Sequence, residues 1–264
     1  MNISFKNKTV LVTAGSRGIG LEIAKYFISS GANVCICSRK KKNLNNAKKI
    51  FSRISEKSKF LCLQKDISIP KNHPIIIKKI KTKFNKSIDI LINNSGGPPA
   101  KSVEKTTFKD WNLAISSNLM SGVLLSKLVI NSMKKKKWGR IINLTSTTAK
   151  EPADNMALSN VTRAALTSFS KTLSREVAKY GITVNTILTG GCLTDRFYNL
   201  LKKASKNKKD FDINLKKLIS LSPMKKIAKP EEFIQLIIFL ASENSSYING
   251  SAIPIDGGSS RTIF

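Results

Sequence analysis

Histidine and cysteine are scarce in this 264-residue sequence, which holds one histidine and four cysteines. The single histidine, His73, leaves little material for a histidine-based metal site or a Ser-His-Asp triad, and because it precedes a proline we expect it in a surface loop. Cys35, Cys37, Cys62 and Cys192 show no metal-ligand spacing, and the first two alternate within an apolar run, as buried thiols do. We therefore expect neither a metal site nor a disulfide framework.

Acidic residues are also few: 16 Asp and Glu stand against 46 Lys and Arg, which gives a formal net charge of +30. Such a charge ordinarily suggests a nucleic acid or another acidic surface as partner. The cations, however, are mostly lysines spread over the whole chain beside abundant Asn and Ile, a composition that AT-rich coding sequence produces without selection for a ligand. We do not expect nucleic-acid binding, although a phosphate-bearing cofactor or an acyl carrier is compatible with the charge.

Long hydrophobic runs and linkers are missing as well. The first apolar run, at residues 10–12, is short and starts a strand, so we expect neither a signal peptide nor a membrane span, and we predict a cytoplasmic protein. No Pro-, Gly- or Ser-rich linker divides the chain, so the prediction is one domain over residues 1–264.

Short β-branched runs alternate with longer amphipathic segments along this domain. The runs typical of strands cover residues 9–13, 33–37, 60–65, 88–93, 140–144, 182–188 and 252–255. Apolar residues recur at helical spacing over 22–30, 44–54, 75–84, 108–133, 160–180 and 231–241. Because the strands are apolar almost throughout, the pattern predicts an α/β fold: a doubly wound parallel sheet of about seven strands in three α/β/α layers, with ligands at the carboxyl ends of the strands.

The stretch 195–222 interrupts this alternation and is rich in Lys and Leu. Its position suits a helical insertion that covers the substrate, and its composition would equally suit a solvated helix pair.

The first strand runs directly into Thr-Ala-Gly-Ser-Arg-Gly-Ile-Gly at residues 13–20, and then into a helix. Glycines at this spacing permit a tight turn and a close approach of backbone to a pyrophosphate, while the helix N-terminus offers free N–H groups. A glycine cluster alone is weak evidence, but here it lies between a strand and a helix, as in a Rossmann-like fold. The predicted cofactor-binding residues are Gly15, Ser16, Arg17, Gly18, Ile19 and Gly20.

The second strand ends at Ser38 and Arg39, where an NAD-binding protein would place Asp or Glu for the ribose hydroxyls. A cation here favours the additional 2′-phosphate of NADP(H), and Arg17 could assist it. The alternative is that Arg39 is one more member of a basic loop. We favour NADP(H) over NAD(H).

Short segments with polar side chains follow the next two strands. Asp66 and Ile67 come after the third strand, and Asn93, Asn94, Ser95 and Gly96 come at the end of the fourth. Short polar side chains there can bind the adenine and hold the strand ends open around a cofactor, although ordinary turn chemistry would use the same residue types.

With these segments in place, the chain resembles the short-chain dehydrogenase/reductase family, and within it the 3-oxoacyl-(acyl-carrier-protein) reductases, over residues 5–258. The glycine turn and the Asn-Asn-Ser-Gly at 93–96 correspond to the family's two cofactor motifs, residues 139–146 to the strand that carries its catalytic serine, and residues 181–185 and 255–258 also match. The resemblance implies an NADP(H)-dependent oxidoreductase that interconverts a carbonyl and an alcohol on a small-molecule or acyl-thioester substrate.

The family's Tyr-x-x-x-Lys dyad is absent. Thirteen residues beyond Ser146, where the tyrosine is expected, the sequence places Ser159, and Arg163 takes the lysine position. The chain also resembles an atypical branch of the family that reads Gly-Gly-Pro-Pro, Lys-Glu-Pro and Ser-Asn-x-x-Arg, here at 96–99, 150–152 and 159–163. We interpret the missing dyad as a subfamily feature.

The same resemblance implies roles for individual residues. Asn118 would organise a proton-relay water, Ser146 would hydrogen-bond the substrate carbonyl, Thr194 would contact the nicotinamide amide, and Arg163 could hold the nicotinamide ribose. The helices over 108–133 and 160–180 would pair across a dimer interface, and the C-terminal strand region suggests a tetramer.

Reduction of a ketone requires a group that protonates the developing alkoxide, and a serine hydroxyl is far too weak an acid for this. Three alternatives remain open. Lys150, four residues beyond Ser146, could supply the proton if burial lowers its pKa, although a solvated loop lysine is the simpler interpretation. Water could supply it while Ser146, Ser159 and Arg163 hold the oxyanion. Finally, the protein could be a catalytically silent NADP(H)-binding or scaffold protein.

Overall fold

The computed structural model describes residues 3–263. Its centre is a seven-stranded parallel sheet in the order β3-β2-β1-β4-β5-β6-β7. The chain moves outward from β1 to one edge, returns to β4, and then moves to the other edge, which is the predicted doubly wound arrangement. The strands are β1 Thr9–Val12, β2 Asn33–Ser38, β3 Phe60–Gln64, β4 Ile90–Asn93, β5 Gly139–Ser146, β6 Ile182–Thr189 and β7 Ala252–Ile255.

Helices connect these strands and cover both faces of the sheet. They are α1 Gly18–Ser29, α2 Lys41–Phe51, α3 Asn72–Phe84, α4 Phe108–Ala114, α5 Ser121–Lys136, α6 Ala157–Val177, α7 Asp195–Lys203, α8 Lys208–Leu221 and α9 Ile234–Ala241. The stretch 195–222, expected to be a helical insertion, forms α7 and α8.

Two apolar cores lie on opposite faces of the sheet because neighbouring strand residues point to opposite sides. Val10 and Val12 pack in one core with residues of α1, α2 and α9, while Leu11 packs in the other with residues of α3, α5 and α6. The three-layer α/β/α architecture is thus confirmed, and burial on both faces explains why the strands are apolar almost throughout.

His73 is buried, with 1% of its surface exposed, so the expectation of a surface loop position was wrong. It is the second residue of α3, and its Nε2 lies 2.7 Å from the carbonyl oxygen of Ile67. Pro74 follows it in the first helical turn, where a missing backbone N–H costs nothing. The proline therefore marks the start of a helix.

The helix expected over 108–133 is interrupted by a π-helical segment at Ile115–Met120, between α4 and α5. Polar side chains compete for backbone carbonyls there: Ser117 Oγ donates to Leu113 O (2.7 Å), Asn118 Nδ2 to Ala114 O (3.3 Å) and Ser121 Oγ to Ser117 O (2.7 Å). Such side-chain bonds disturb the regular i to i−4 ladder.

Within the described chain, the helical stretch Phe108–Lys136 is long and apolar enough to cross a membrane by length and composition alone, with a mean hydropathy of 1.6. Its α5 part packs against β4, β5, α3 and α6, as the core helix of an α/β layer does.

Candidate active site

A cleft of about 570 Å³ opens at the carboxyl ends of the strands. It is the place where a doubly wound sheet binds its ligands, because β1 and β4 are neighbours that lead away in opposite directions. The predicted site residues that line it are Ser16, Arg17, Gly18, Ile19, Ser38, Arg39, Asp66, Ile67, Asn94, Ser95, Gly96, Ser146, Ser159, Arg163 and Thr194. Five others do not line it: Gly15, Gly20, Asn93, Asn118 and Lys150.

The glycine turn brings β1, β2 and α1 into close contact. A Cβ on Gly15 would lie 2.7 Å from Ile36 Cγ2, and one on Gly20 would lie 2.6 Å from Asn94 Nδ2. Gly18 has φ +53°, and a Cβ there would meet Thr194 Cγ2 at 3.1 Å. Gly15 and Gly20 therefore act through packing, while Gly18 faces the cleft wall.

The N-terminus of α1 fits a phosphate group. Its N-cap residue, Arg17, makes no side-chain capping bond, and the first turn contains no acidic residue. The first-turn N–H groups thus have no capping acceptor, and the positive end of the helix dipole faces the cleft. A dinucleotide pyrophosphate has the hydrogen-bond acceptors and the negative charge that this helix end lacks.

The end of β2 fits an additional phosphate. Arg39 is exposed and lines the cleft together with Lys40 and Lys65. In the described chain, none of these three side chains makes an ion pair with a carboxylate. The nearby Asp66 is engaged locally, because its Oδ1 accepts from the backbone N (2.9 Å) and the hydroxyl (2.8 Å) of Ser68.

Thr13, to which the sequence assigned no role, joins the ends of β1 and β4. Its Oγ1 donates to Asn94 O (2.6 Å) and accepts from Asn94 N (2.8 Å). This pair holds the Asn94 backbone beside the glycine turn. A threonine at the end of a strand carries no distinctive sequence pattern, so only the fold reveals this contact.

Asn93 and Asn118 support the cleft from behind. Asn93 Nδ2 donates to Asn143 Oδ1 (2.8 Å), and Asn143 Nδ2 donates to Ser170 Oγ (2.7 Å), in a buried network that joins β4, β5 and α6. Asn118, 1% exposed, accepts at Oδ1 from Ser95 Oγ (2.8 Å). Both side chains position the residues that follow β4.

Ser146 and Ser159 line the same part of the cleft. Ser146 is the last residue of β5, and its Oγ accepts from Thr148 N (3.2 Å), which leaves the hydroxyl proton available to a ligand. Ser159 lies in the first turn of α6, is 4% exposed, and its hydroxyl has no hydrogen-bond partner among residues 3–263. Two hydroxyl donors are thus available on one wall.

Arg163 lies one turn further along α6 and is 6% exposed. Its Nη1 donates to Leu144 O (2.8 Å) and its Nη2 to Ser95 O (3.4 Å), so that the guanidinium joins the ends of β4 and β5. Burial and, secondarily, the charge of Arg196 lower the pKa of Arg163 to about 10, which still leaves it charged at neutral pH.

Arg196, on α7, is a cleft residue that the sequence analysis missed. It donates from Nη1 to Gly97 O (2.7 Å) and from Nη2 to Pro98 O (2.9 Å), and burial lowers its pKa from the usual arginine value. The guanidinium packs on the Gly97 backbone, where a Cβ would overlap it. Next to it, Asp195 pairs with Arg17 at 2.7 Å.

A family model described as enoyl-(acyl carrier protein) reductase matches residues 13–260. The chain belongs to the short-chain dehydrogenase/reductase family. It is 31% identical over 260 residues to the NADPH-dependent reductase BacG of Bacillus subtilis, covering 97% of this chain and 99% of that protein. It is 32% identical over 256 residues to the 3-oxoacyl-(acyl-carrier-protein) reductase FabG of Salmonella typhimurium, covering 97% and 98%.

Solved structures give the same family. The crystal structure of L-sorbose reductase from Gluconobacter frateurii, complexed with NADPH and L-sorbose, matches with a TM-score of 0.93 and 30% identity over 100% of both chains. A second match, YwfH, described as an NADPH-dependent reductase involved in bacilysin biosynthesis, has a TM-score of 0.90 at 30% identity, covering 97% of this chain and 99% of that one.

Within this short-chain dehydrogenase/reductase cleft, no tyrosine side chain forms part of the described lining. The lining also contains no lysine beside Ser146 and Ser159, since Lys40 and Lys65 lie at the β2 and β3 ends. Lys150 is half-buried on the turn after β5 and does not face the cleft. The side-chain donors that line the cleft near Ser146 are thus hydroxyl groups and arginine N–H groups.

Proposed function

We propose that this protein is an NADP(H)-dependent oxidoreductase that interconverts a carbonyl compound and an alcohol. The observation that carries the proposal is the continuity of one cleft, from the glycine turn and Arg39 at one end to the hydroxyls of Ser146 and Ser159 at the other. The family and its NADPH-dependent relatives support the same conclusion.

The cofactor end is built from charge and backbone donors. The N-terminus of α1, with Arg17 as its N-cap residue, and the turn at 13–20 would hold the pyrophosphate, while Ser38 and Arg39 would bind the 2′-phosphate and so favour NADP(H) over NAD(H). Asp66, Ile67 and the strand end at 94–96 would contact the adenosine and ribose groups, and Thr194 the nicotinamide amide. NADPH, when bound there, supplies the hydride that reduces the carbonyl carbon.

At the substrate end, Ser146 and Ser159 would donate hydrogen bonds to the carbonyl oxygen, where negative charge develops. Arg163 is charged at neutral pH and would stabilise the same oxygen through its positive potential while it holds the ends of β4 and β5. Serine is too weak an acid to give up its proton, and Lys150 does not face the cleft. We therefore assign the proton on the oxygen to water.

We further propose that α7 and α8 cover the substrate, because Asp195, Arg196, Phe197 and Leu200 of α7 line the cleft. The substrate would be a small molecule or an acyl thioester. Self-association through the α4–α5 and α6 layer is part of the same proposal, and it agrees with the exposed apolar side chains Leu128 and Val161 on α5 and α6.

Oxidation of NADPH by a panel of carbonyl compounds, in the intact protein and in Ser146→Ala, tests the proposal. We expect turnover by the intact protein and a loss of about 100-fold in kcat/KM in the variant, because a donor to the developing oxyanion is removed. Ser29→Ala, which removes an exposed hydroxyl at the end of α1 outside the cleft, is the matched control and should leave turnover unchanged.

The second candidate, a catalytically silent NADP(H)-binding protein, is favoured by one observation: the two dyad positions are Ser159 and Arg163, neither of which is an acid suited to neutral pH. It predicts that NADPH binds and that no carbonyl compound in the panel is reduced. Binding of NADPH without turnover would therefore overturn the enzymatic proposal in favour of this one.

A further inference from the structure

Two arginines at the substrate end of the cleft have no acidic partner. Arg163 and Arg196 both line the cleft, and neither makes an ion pair with a carboxylate anywhere in residues 3–263. Both donate instead to backbone carbonyls of the segment that follows β4. Carbonyl dipoles satisfy N–H groups, but they leave the two positive charges without a counter-charge.

The acidic residues of the cleft are engaged elsewhere. Asp110 pairs with Lys101 at 2.7 Å and caps α4, Asp195 pairs with Arg17, and Asp66 bonds Ser68. The lowered pKa of both arginines reflects burial of these charges, and for Arg163 also the nearby charge of Arg196. This end of the cleft is therefore a pocket in which two positive charges are largely shielded from water and have no counter-charge.

The 2′-phosphate of the cofactor lies too far from Arg163 to neutralise its charge. Arg163 joins the ends of β4 and β5, whereas Arg39 lies at the end of β2, and β1 and β4 stand between β2 and β5 in the sheet. At about 4.8 Å per strand, the two sites are about 14 Å apart across the sheet. The pyrophosphate site at the start of α1 lies between them, and the nicotinamide ring that would reach Ser146 carries no negative charge.

We propose that Arg196, with Arg163 behind it, binds an anionic group of the substrate, so that the substrate is an oxo acid, a carbonyl compound carrying a carboxylate or a phosphate. This inference rests on the proposed function, whose carbonyl site at Ser146 and Ser159 it shares. It makes Arg196 a specificity-determining residue and disfavours neutral sugars, ketones and esters.

The geometry of Arg196 suits this role. A guanidinium has five N–H groups in one plane, and Gly97 O and Pro98 O use two of them, so the remaining donors are free for an oxyanion. The two carbonyls fix the guanidinium plane in advance, which lowers the entropy cost of binding. Gly97 permits this arrangement, because a Cβ at that position would overlap the guanidinium.

Matched neutral and anionic probes test the inference. Straight-chain 2-oxo and 3-oxo acids are compared with their methyl esters, and hydroxyacetone phosphate with hydroxyacetone, by thermal stabilisation of the protein with and without NADP⁺. The second readout is the kcat/KM for NADPH oxidation. We expect an acid to bind about 10- to 100-fold more tightly than its ester, the range typical of charge-assisted hydrogen bonds. A preference for carboxylates or for phosphates identifies which anion the pocket takes.

Arg196→Gln should abolish this preference while leaving the affinity for NADPH unchanged. Lys202→Gln is the matched control, since it removes one positive charge from the exposed side of the same helix and should keep the preference. If Arg196→Gln unfolds because α7 loses its two bonds, Arg196→Lys retains the charge and should retain part of the preference.

Esters that bind the intact protein as tightly as acids would overturn the inference, as would a preference that survives in Arg196→Gln. A fall in NADPH affinity as large as the fall in acid affinity would also overturn it, because Arg196 would then serve the cofactor. Failure of the proposed function looks different: NADPH would not bind or would not be oxidised, while the stabilisation by acids can be measured without cofactor.

Discussion

Arg39 and Arg163 have different roles because one side chain is exposed and the other is buried. Arg39 is exposed at the cleft edge, where its charge is fully hydrated until a ligand arrives, so it can contribute binding energy selectively to a phosphate. Arg163 is buried, and its N–H groups hold two strand ends together. Replacing Arg163 leaves carbonyls unpaired, whereas replacing Arg39 removes only a ligand contact.

The first prediction concerns the choice of cofactor. Arg39→Gln should weaken NADPH binding by about 10- to 100-fold and leave NADH binding nearly unchanged, because only NADPH carries the 2′-phosphate. Titration of nicotinamide fluorescence with both cofactors measures the two affinities.

Arg53→Gln is the control for this prediction. Arg53 is exposed beyond the end of α2 and does not line the cleft. Its substitution therefore removes the same type of side chain and the same charge at a position away from the cofactor. Equal losses of NADPH affinity in the two variants would indicate a general effect of charge and would contradict the assignment of Arg39.

At the scale of the helix, α4 depends on its first turn. Thr107 caps it: the Thr107 Oγ1 accepts from Asp110 N (3.2 Å), and Asp110 Oδ2 accepts from Thr107 N (3.0 Å), which forms a capping box. The last turn of α4 brings Leu113 and Ala114 to the cleft, directly before the π-helical segment that holds Asn118. The cap therefore fixes one wall of the cleft from outside.

The second prediction follows from this cap. Thr107→Ala should cost about 1 kcal/mol of unfolding free energy, because a first-turn N–H loses its acceptor. For a chain of this size that corresponds to a fall of about 2–4 °C in Tm. Thermal unfolding followed by circular dichroism measures the change.

Thr172→Ala, an exposed threonine inside α6, is the matched control. Its Tm should stay constant or rise slightly, since alanine is the better residue within a helix. A Tm for Thr107→Ala equal to that of the control would show that the capping box does not stabilise α4.

For the whole molecule, the net charge of +30 sets the electrostatic background. The ion pairs of the described chain, such as Lys8–Glu243 and Lys136–Asp89, employ a small part of the 46 cations. Most of the positive side chains therefore repel one another across the surface, and this repulsion opposes the compact state.

The third prediction is that salt stabilises the protein. Between about 0.01 M and 0.15 M NaCl the Debye length falls from about 30 Å to about 8 Å, so screening removes most of the long-range repulsion. We expect Tm to rise by several degrees over this range at pH 7, measured by thermal unfolding without cofactor.

The double variant Lys202→Glu with Lys203→Glu lowers the positive charge at two exposed positions of α7, so it should show a smaller gain from salt. A Tm that falls with salt would contradict the prediction, because it would mean that attractive pairs outweigh the repulsion. Binding to DNA, if observed, should weaken steeply over the same range, as non-specific binding does.

The sequence by itself determined the class of fold. Strand bounds such as 252–255, and the alternation of apolar runs with helical periodicity, depend on local backbone geometry and on burial, which leave a repeating pattern along the chain. The glycine turn could be predicted for the same reason: its strand, turn and helix are consecutive. The assignments of Ser146, Ser159 and Arg163 came from the resemblance to the family, in which the serine at the end of β5 precedes the first position of the dyad by thirteen residues.

Only the tertiary structure decided which of these residues meet. Arg196 lies 99 positions from Gly97, and Thr13 lies 81 positions from Asn94, so no local pattern could report either contact. The burial of His73 likewise depends on how α3 packs on the sheet. Contacts between side chains far apart in sequence depend on how whole helices and strands pack against one another. The hydrophobic periodicity of a single helix or strand contains no information about that packing.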